Sequence, residues 1–340
     1  MRTLITGGAG FVGTNLAERV LADGDDVVVL DNLSRAGVEQ NLRGLVERHG
    51  RRVQVVEADI RDAPAVRRAV RGADRVAHLA GQVAVTTSLD EPMDDAAINL
   101  LGTLHVLEAL RDDPKPLLFT STNKVYGGLP DVELSETATR YEPTDANVLG
   151  CGIGESRPLS FCTPYGCSKG AADQYVVDYA HSYGVPAVVF RMSCIYGPHQ
   201  FGTEDQGWVA HFAIRALNGE PITIYGDGKQ VRDVLFAGDL VEAMVLALRD
   251  AERLAGSAFN IGGGPRNCLS LLELLHMLEE LTGREPEVQF GDWRPGDQRY
   301  YVSDTSAMTA ATGWRPRVTP RTGLARLAQW LTRAEQPTAA

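Results

Sequence analysis

At 340 residues, 44% hydrophobic and 23% charged, the chain has the composition of a folded protein large enough for one extensive core and an attached second lobe. Its formal charge of -11 excludes general affinity for nucleic acid, which depends on clustered Lys and Arg, and leaves room only for a local basic pocket around one phosphorylated ligand. Five cysteines, Cys151, Cys162, Cys167, Cys194 and Cys268, form no C-x-x-C pair and are odd in number, so buried free thiols are expected rather than a disulfide framework.

In chain order, apolar β-branched runs at Arg2–Thr6, Val27–Leu30, Val53–Val56, Arg75–Leu79, Leu117–Thr120 and Ala187–Phe190 predict strands buried on both faces. Stretches of helical period lie between them at Asn15–Ala22, Ala63–Val70, Ile98–Leu110 and Gly170–Ser182. Strands alternating with helices imply right-handed crossovers, hence an α/β, Rossmann-type, doubly wound parallel sheet over residues 1–190. Residues 191–335 loosen into a helix near Val209–Leu217, a strand near Ile222–Tyr225, and helices near Leu240–Leu248, Leu269–Leu281 and Thr322–Thr332. These predict a smaller C-terminal α/β lobe for the substrate, interleaved with the first domain because no linker separates them. The polar stretch Leu134–Pro164 reads as a functional loop, and the tail after Thr332 as frayed. The first strand begins at once, with no basic and apolar leader before it, and no run is long enough to span a bilayer. A cytoplasmic protein without membrane contact is expected.

The run TGGAGFVG joins the first strand to the first helix and places Gly7, Gly10 and Gly13 at the turn, where backbone can approach a pyrophosphate at a helix N-terminus. Such a turn is weak evidence alone. Asp31, at the end of the second strand, strengthens it, because a carboxylate there can accept bonds from ribose hydroxyls and would repel a 2′-phosphate. NAD is therefore the expected cofactor, with Arg35 the one nearby charge that argues for NADP.

Tyr165 and Lys169 stand one helical turn apart, so their side chains share a face. Alone the spacing also suits a surface pair. A phenol is a poor base at neutral pH, but a neighbouring ammonium and a positive nicotinamide ring both favour the phenolate, and Thr122 in STNKVYG supplies a hydroxyl. Lysine occurs only at Lys115, Lys124, Lys169 and Lys229 in this arginine-rich chain, which draws attention to Lys124 and Lys169.

With TGGAGFVG, Asp59, HLAGQ at residues 78–82, and Asn99, these marks resemble the extended short-chain dehydrogenase/reductases over nearly the whole chain. The resemblance implies Tyr165 as acid/base, Lys169 as the cation lowering its pKa, and Thr122 as partner of the reacting sugar oxygen. It implies a cofactor shell of Gly7, Gly10, Phe11, Val12, Gly13, Asp31, Asn32, Ser34, Arg35, Asp59, Ile60, Leu79, Ala80, Gln82, Asn99, Tyr165 and Lys169. It also implies a homodimer built on Ile98–Leu110 and Gly170–Ser182.

Sugar-nucleotide dehydratases of this family carry Thr-Asp-Glu where this chain has Thr122, Asn123 and Lys124, and an amide with an ammonium cannot replace that acid pair. The blocks STNKVYG, TPYGCSKGAADQY, RDVLFAGDL, AFNIGG and SLLELL are instead similar to the CDP-sugar 2-epimerases of the family. That resemblance implies transient oxidation of a nucleotide-bound hexose to a keto sugar, then reduction on the other face. Arg232 and Arg299 are its expected diphosphate ligands, Asn123, Lys124 and Gln200 further substrate contacts, and His199 and Trp208 additional candidates. A 4-epimerase or related nucleotide-sugar oxidoreductase is the alternative on the same scaffold. A non-catalytic NAD sensor would not need Thr122, Tyr165 and Lys169.

Overall fold

The computed structural model describes residues 1–334; the end of the tail read as frayed lies outside the described residues. Seven parallel strands form the central sheet: β1 (Arg2–Thr6), β2 (Asp26–Asp31), β3 (Val53–Glu57), β4 (Arg75–His78), β5 (Leu117–Thr122), β6 (Ala187–Met192) and β7 (Ser257–Ile261). Their spatial order is β7-β6-β5-β4-β1-β2-β3, so the winding reverses between β1 and β4. A crevice opens there at the carboxyl ends of the strands, where ligands bind in doubly wound sheets.

Alternation along each strand explains why both faces are covered. Ile5, Val27, Val29, Ala77, Leu118, Val188 and Phe190 belong to one apolar cluster. Their neighbours Leu4, Val28, Leu30, Val76, Leu117, Phe119 and Val189 belong to another on the opposite face. The seventh strand comes from beyond residue 190; its run SAFNI is short and leads into glycines, which leaves too little pattern to predict it.

Residues past 190 also build a smaller lobe. The strand Val231–Phe236 pairs with Cys194–Tyr196, Cys268–Ser270 and Tyr300–Tyr301, while Ile222–Tyr225 pairs with Val288–Gly291. Its apolar cluster includes Val209, Phe212, Ile224, Phe236, Leu274 and Leu327. Cys194–Tyr196 follows β6 almost directly, which carries chain from the sheet into this lobe beside the crevice. The predicted loop Leu134–Pro164 holds a small hairpin, Leu134–Glu136 with Tyr141–Pro143, and a short helix, Ala146–Cys151. The five cysteines are free thiols but not the buried ones expected: Cys151, Cys162 and Cys167, on the short helix and at the start of the helix after it, are exposed, and Cys194 and Cys268 are partly buried. No described helix is long and apolar enough to cross a membrane.

Candidate active site

A cleft of about 980 Å³ runs from the β1 turn to the smaller lobe. At the cofactor end, helix α1 (Phe11–Ala22) starts at Gly10 with no side-chain cap, so its first N–H groups have no capping side chain to satisfy them. Gly7 has φ +68, and a Cβ on it would stand 2.8 Å from the Ala80 nitrogen; one on Gly13 would strike the Gly7 carbonyl. The glycines are thus required by the close approach of β1, β4 and α1 before any ligand is considered. Asp31 is fixed by bonds from the backbone N–H groups of Ala9 (3.0 Å) and Leu33 (2.9 Å). Asn32 donates to Asp59 at 2.9 Å, while hydrogen bonds from Arg61 hold the Asp59 carboxyl well below the usual range. Of the other residues expected to hold the cofactor, Phe11, Val12, Ser34, Arg35, Ile60, Leu79, Ala80 and Gln82 also line the cleft. The buried hydroxyls of Thr86 and Ser121 line it without a hydrogen-bond partner. An uncapped helix N-terminus, a fixed carboxylate and orphaned hydroxyls suit a dinucleotide.

At the centre, β5 ends in Thr122 and helix α2 (Thr163–Tyr183) carries Tyr165 and Lys169 on its first two turns. This helix begins seven residues before the predicted Gly170, with Pro164 in its first turn. Burial pushes the Tyr165 phenol up to about 12, with the neighbouring Thr122 hydroxyl and Arg35 acting the other way. Burial pushes the Lys169 ammonium down to about 8 against the opposing pull of Asp173 and Asp95, and the ammonium sits 4.3 Å from the centre of the Phe119 ring.

Behind the wall lies a network that the sequence pattern does not reveal. Asp95 is 1% exposed and accepts from Ser168, from Gln82 Nε2 (3.0 Å) and from Asn99 Nδ2 (3.1 Å). Burial pushes its carboxyl up. Asn99 also accepts from the Gln82 backbone N–H at 3.0 Å. The structure does not bring Asn99 to the cleft: both ends of its amide are spent holding the Gln82 turn and Ser168 from behind.

At the other end, Arg232 is buried and lines the cleft, donating to the carbonyls of Val231 (2.8 Å) and Gln298 (2.5 Å). Arg299 is not on the wall. It is exposed, with its guanidinium 5.5 Å from the Tyr141 ring and 5.6 Å from that of Trp293, because the buried neighbour Gln298 takes the inward direction. The arginine of RPGDQR that does line the cleft is Arg294, 3.8 Å from the centre of the Tyr225 ring and paired with Glu204 and Asp205. Its signal was available five residues earlier in the same run. Gln200 and Gln230 are also buried on the wall; each amide nitrogen donates to a carbonyl, which fixes the flip, and each amide oxygen is without a partner. Arg35 reaches across to Gln206. His199, at φ +67, bonds Asn41 at 3.1 Å, and Trp208 opens the helix Trp208–Asn218 against Phe212. Asn123 and Lys124 line the cleft beside Thr122.

Comparison with known proteins agrees with a dinucleotide cleft in a doubly wound sheet. Residues 3–262 match the NAD dependent epimerase/dehydratase family, and the chain belongs to that family of enzymes. Over its length it is similar to a CDP-paratose 2-epimerase from Salmonella typhi, with 45% identity covering 97% of this chain and 99% of the other. A dTDP-glucose 4,6-dehydratase from Xanthomonas campestris pv. campestris is 33% identical, covering 96% and 92%. The crystal structure of a UDP-glucose 4-epimerase from Thermus thermophilus in complex with NAD superposes with a TM-score of 0.83 at 36% identity, covering 98% of this chain and all of that one.

Proposed function

We propose that this protein is a 2-epimerase of a CDP-linked hexose of the CDP-paratose type. The observation that carries the reading is the turn after Thr122, where Asn123 and Lys124 occupy the places that elimination of water would need two acids to fill. The full-length similarity to a CDP-paratose 2-epimerase supports it.

NAD, held by the α1 N-terminus, Asp31 and the residues around them, supplies when bound the reversible hydride acceptor at the cleft centre. Tyr165 takes the proton from the sugar hydroxyl as it becomes a ketone and returns it after the sugar has turned over. Thr122, whose hydroxyl lies near the Tyr165 phenol, orients that hydroxyl. Lys169, one turn along α2 from Tyr165, is the cation that favours the phenolate, and Asp173 and Asp95 favour its charged form against burial. Arg232 and Arg294 hold the diphosphate while the sugar rotates about its link to it; Gln200 and Gln230 offer acceptors to the ligand. Residues 1–190 carry cofactor and catalytic groups, and residues 191–335 carry most substrate contacts. A cytoplasmic homodimer is the proposed working form.

NMR of the products from CDP-paratose, CDP-glucose and UDP-glucose tests the reading. Inversion at carbon 2 of a CDP-sugar is expected; inversion at carbon 4 assigns the chain to the 4-epimerases.

A further inference from the structure

The turn after β5 meets the segment Arg294–Arg299 in a buried polar junction beside the cleft. Lys124 Nζ donates to the Gly296 carbonyl at 2.9 Å and stands 3.9 Å from the Asp297 carboxylate. Asn123 Nδ2 donates to Gln298 Oε1 at 3.5 Å, and Gln298 Nε2 donates back to the Gly127 carbonyl at 2.6 Å. Arg232 donates to the Gln298 carbonyl. Gln298 is 1% exposed, so water does not compete for these bonds. The segment is also pressed on the start of α2: a Cβ on Gly296, at φ +76, would stand 2.8 Å from the Thr163 methyl. Two residues before Gly296, Arg294 enters the cleft.

We propose that Asn123 and Lys124 are positioning residues that clasp the Arg294–Gln298 segment to the Thr122 turn, holding the diphosphate-binding arginines at a fixed distance from the groups that handle the sugar hydroxyl. The two positions that bear reacting acids in dehydratases thereby serve the geometry of the cleft. The inference rests on reading the ligand as a nucleoside diphosphate sugar, and not on which carbon is inverted.

The clasp depends on the proton of Lys124. The charged and titratable groups facing it are Arg232 on Val231–Phe236, Asp297 on the clasped segment, Cys194 on Cys194–Tyr196, and Cys162 just before α2. Burial and then Arg232 push the ammonium down to about 8, with Asp297 opposing them. The charged form therefore holds the clasp at neutral pH and is lost as pH rises through about 8.

The test titrates NAD-loaded protein with CDP and with UDP by calorimetry from pH 7 to 9.5. Wild-type affinity should fall roughly tenfold as Lys124 loses its proton, the scale of one charge-assisted hydrogen bond. K124M should be weaker by about that factor at pH 7 and flat with pH. K124R, which keeps its charge throughout, should retain neutral-pH affinity and also be flat. In turnover, K124M should raise KM while kcat changes by less than about threefold, because uniform binding is what is lost. Wild-type affinity and slope in K124M overturn the proposal, as does a loss confined to kcat, which would put Lys124 on the reacting oxygen. A holoenzyme that binds neither nucleotide overturns it too. Inversion at carbon 4 would overturn the proposed reaction and leave the clasp standing.

Discussion

Tyr165 and Lys169 are each penalised by burial in their charged forms, the phenol pushed up and the ammonium pushed down. Ionising the phenol alone is therefore expensive, so the proposed acid/base role of Tyr165 depends on cations near it. Tyr165→Phe should fold normally and lose about 100-fold to 10,000-fold in kcat, the usual contribution of a positioned acid/base. Turnover near wild type would show that another group takes the proton. Much of this was legible from residue choice. Of the lysines, Lys124 and Lys169 are in the cleft, whereas Lys115 serves the Val70 carbonyl and Asp113, and Lys229 pairs with Glu136. Arg294 and Arg299 could not be told apart because they share one irregular run, broken by Gly296, in which no periodicity says which side chain turns inward. Asp95 was hidden among Asp90, Glu91 and Asp94; only its burial behind Ser168 distinguishes it.

Among the elements, α2 is held to the sheet by a buried ion pair. Arg191 on β6 donates through Nε and Nη2 to the two Asp173 oxygens, each at 2.9 Å, and through Nη1 to the Tyr126 hydroxyl at 3.2 Å. Tyr126 in turn donates to Asn260 on β7 at 2.8 Å, so one chain of bonds joins α2, β6, the turn after β5 and the seventh strand. Arg191→Met leaves Asp173 charged in a dry setting and should cost about 3–5 kcal/mol of stability, read as a lower denaturation midpoint. A change below about 1 kcal/mol would mean that water reaches the site and the pair is a surface-type bridge. The strands of the first domain were legible because apolar residues fill both faces. The start of α2 was less so: Thr163–Ser168 contains proline, glycine and cysteine, and it becomes helical because its first turns pack against the end of β5 and the turn that follows.

For the whole molecule, the two helices read as a dimer surface leave large apolar side chains in water. Leu101 is 50% exposed, and Tyr175 and Tyr183 are each 45% exposed, with Met93 at 80% on the neighbouring short helix. The proposed homodimer would cover these side chains. Light scattering at micromolar concentration should give twice the 36.8 kDa chain mass, and Leu101→Glu should shift it toward a single chain. A single-chain mass for the unaltered protein would contradict the homodimer.

Cofactor cleft, catalytic set and arginine end together serve one proposed event: inversion at carbon 2 by removal and return of that carbon's own hydrogen. NMR of the product formed from CDP-paratose in heavy water distinguishes this event from its rivals. The expected spectrum shows inverted configuration at carbon 2 with ordinary hydrogen still attached there. Deuterium at carbon 2, inversion at carbon 4, or a 4-keto-6-deoxy product would contradict it.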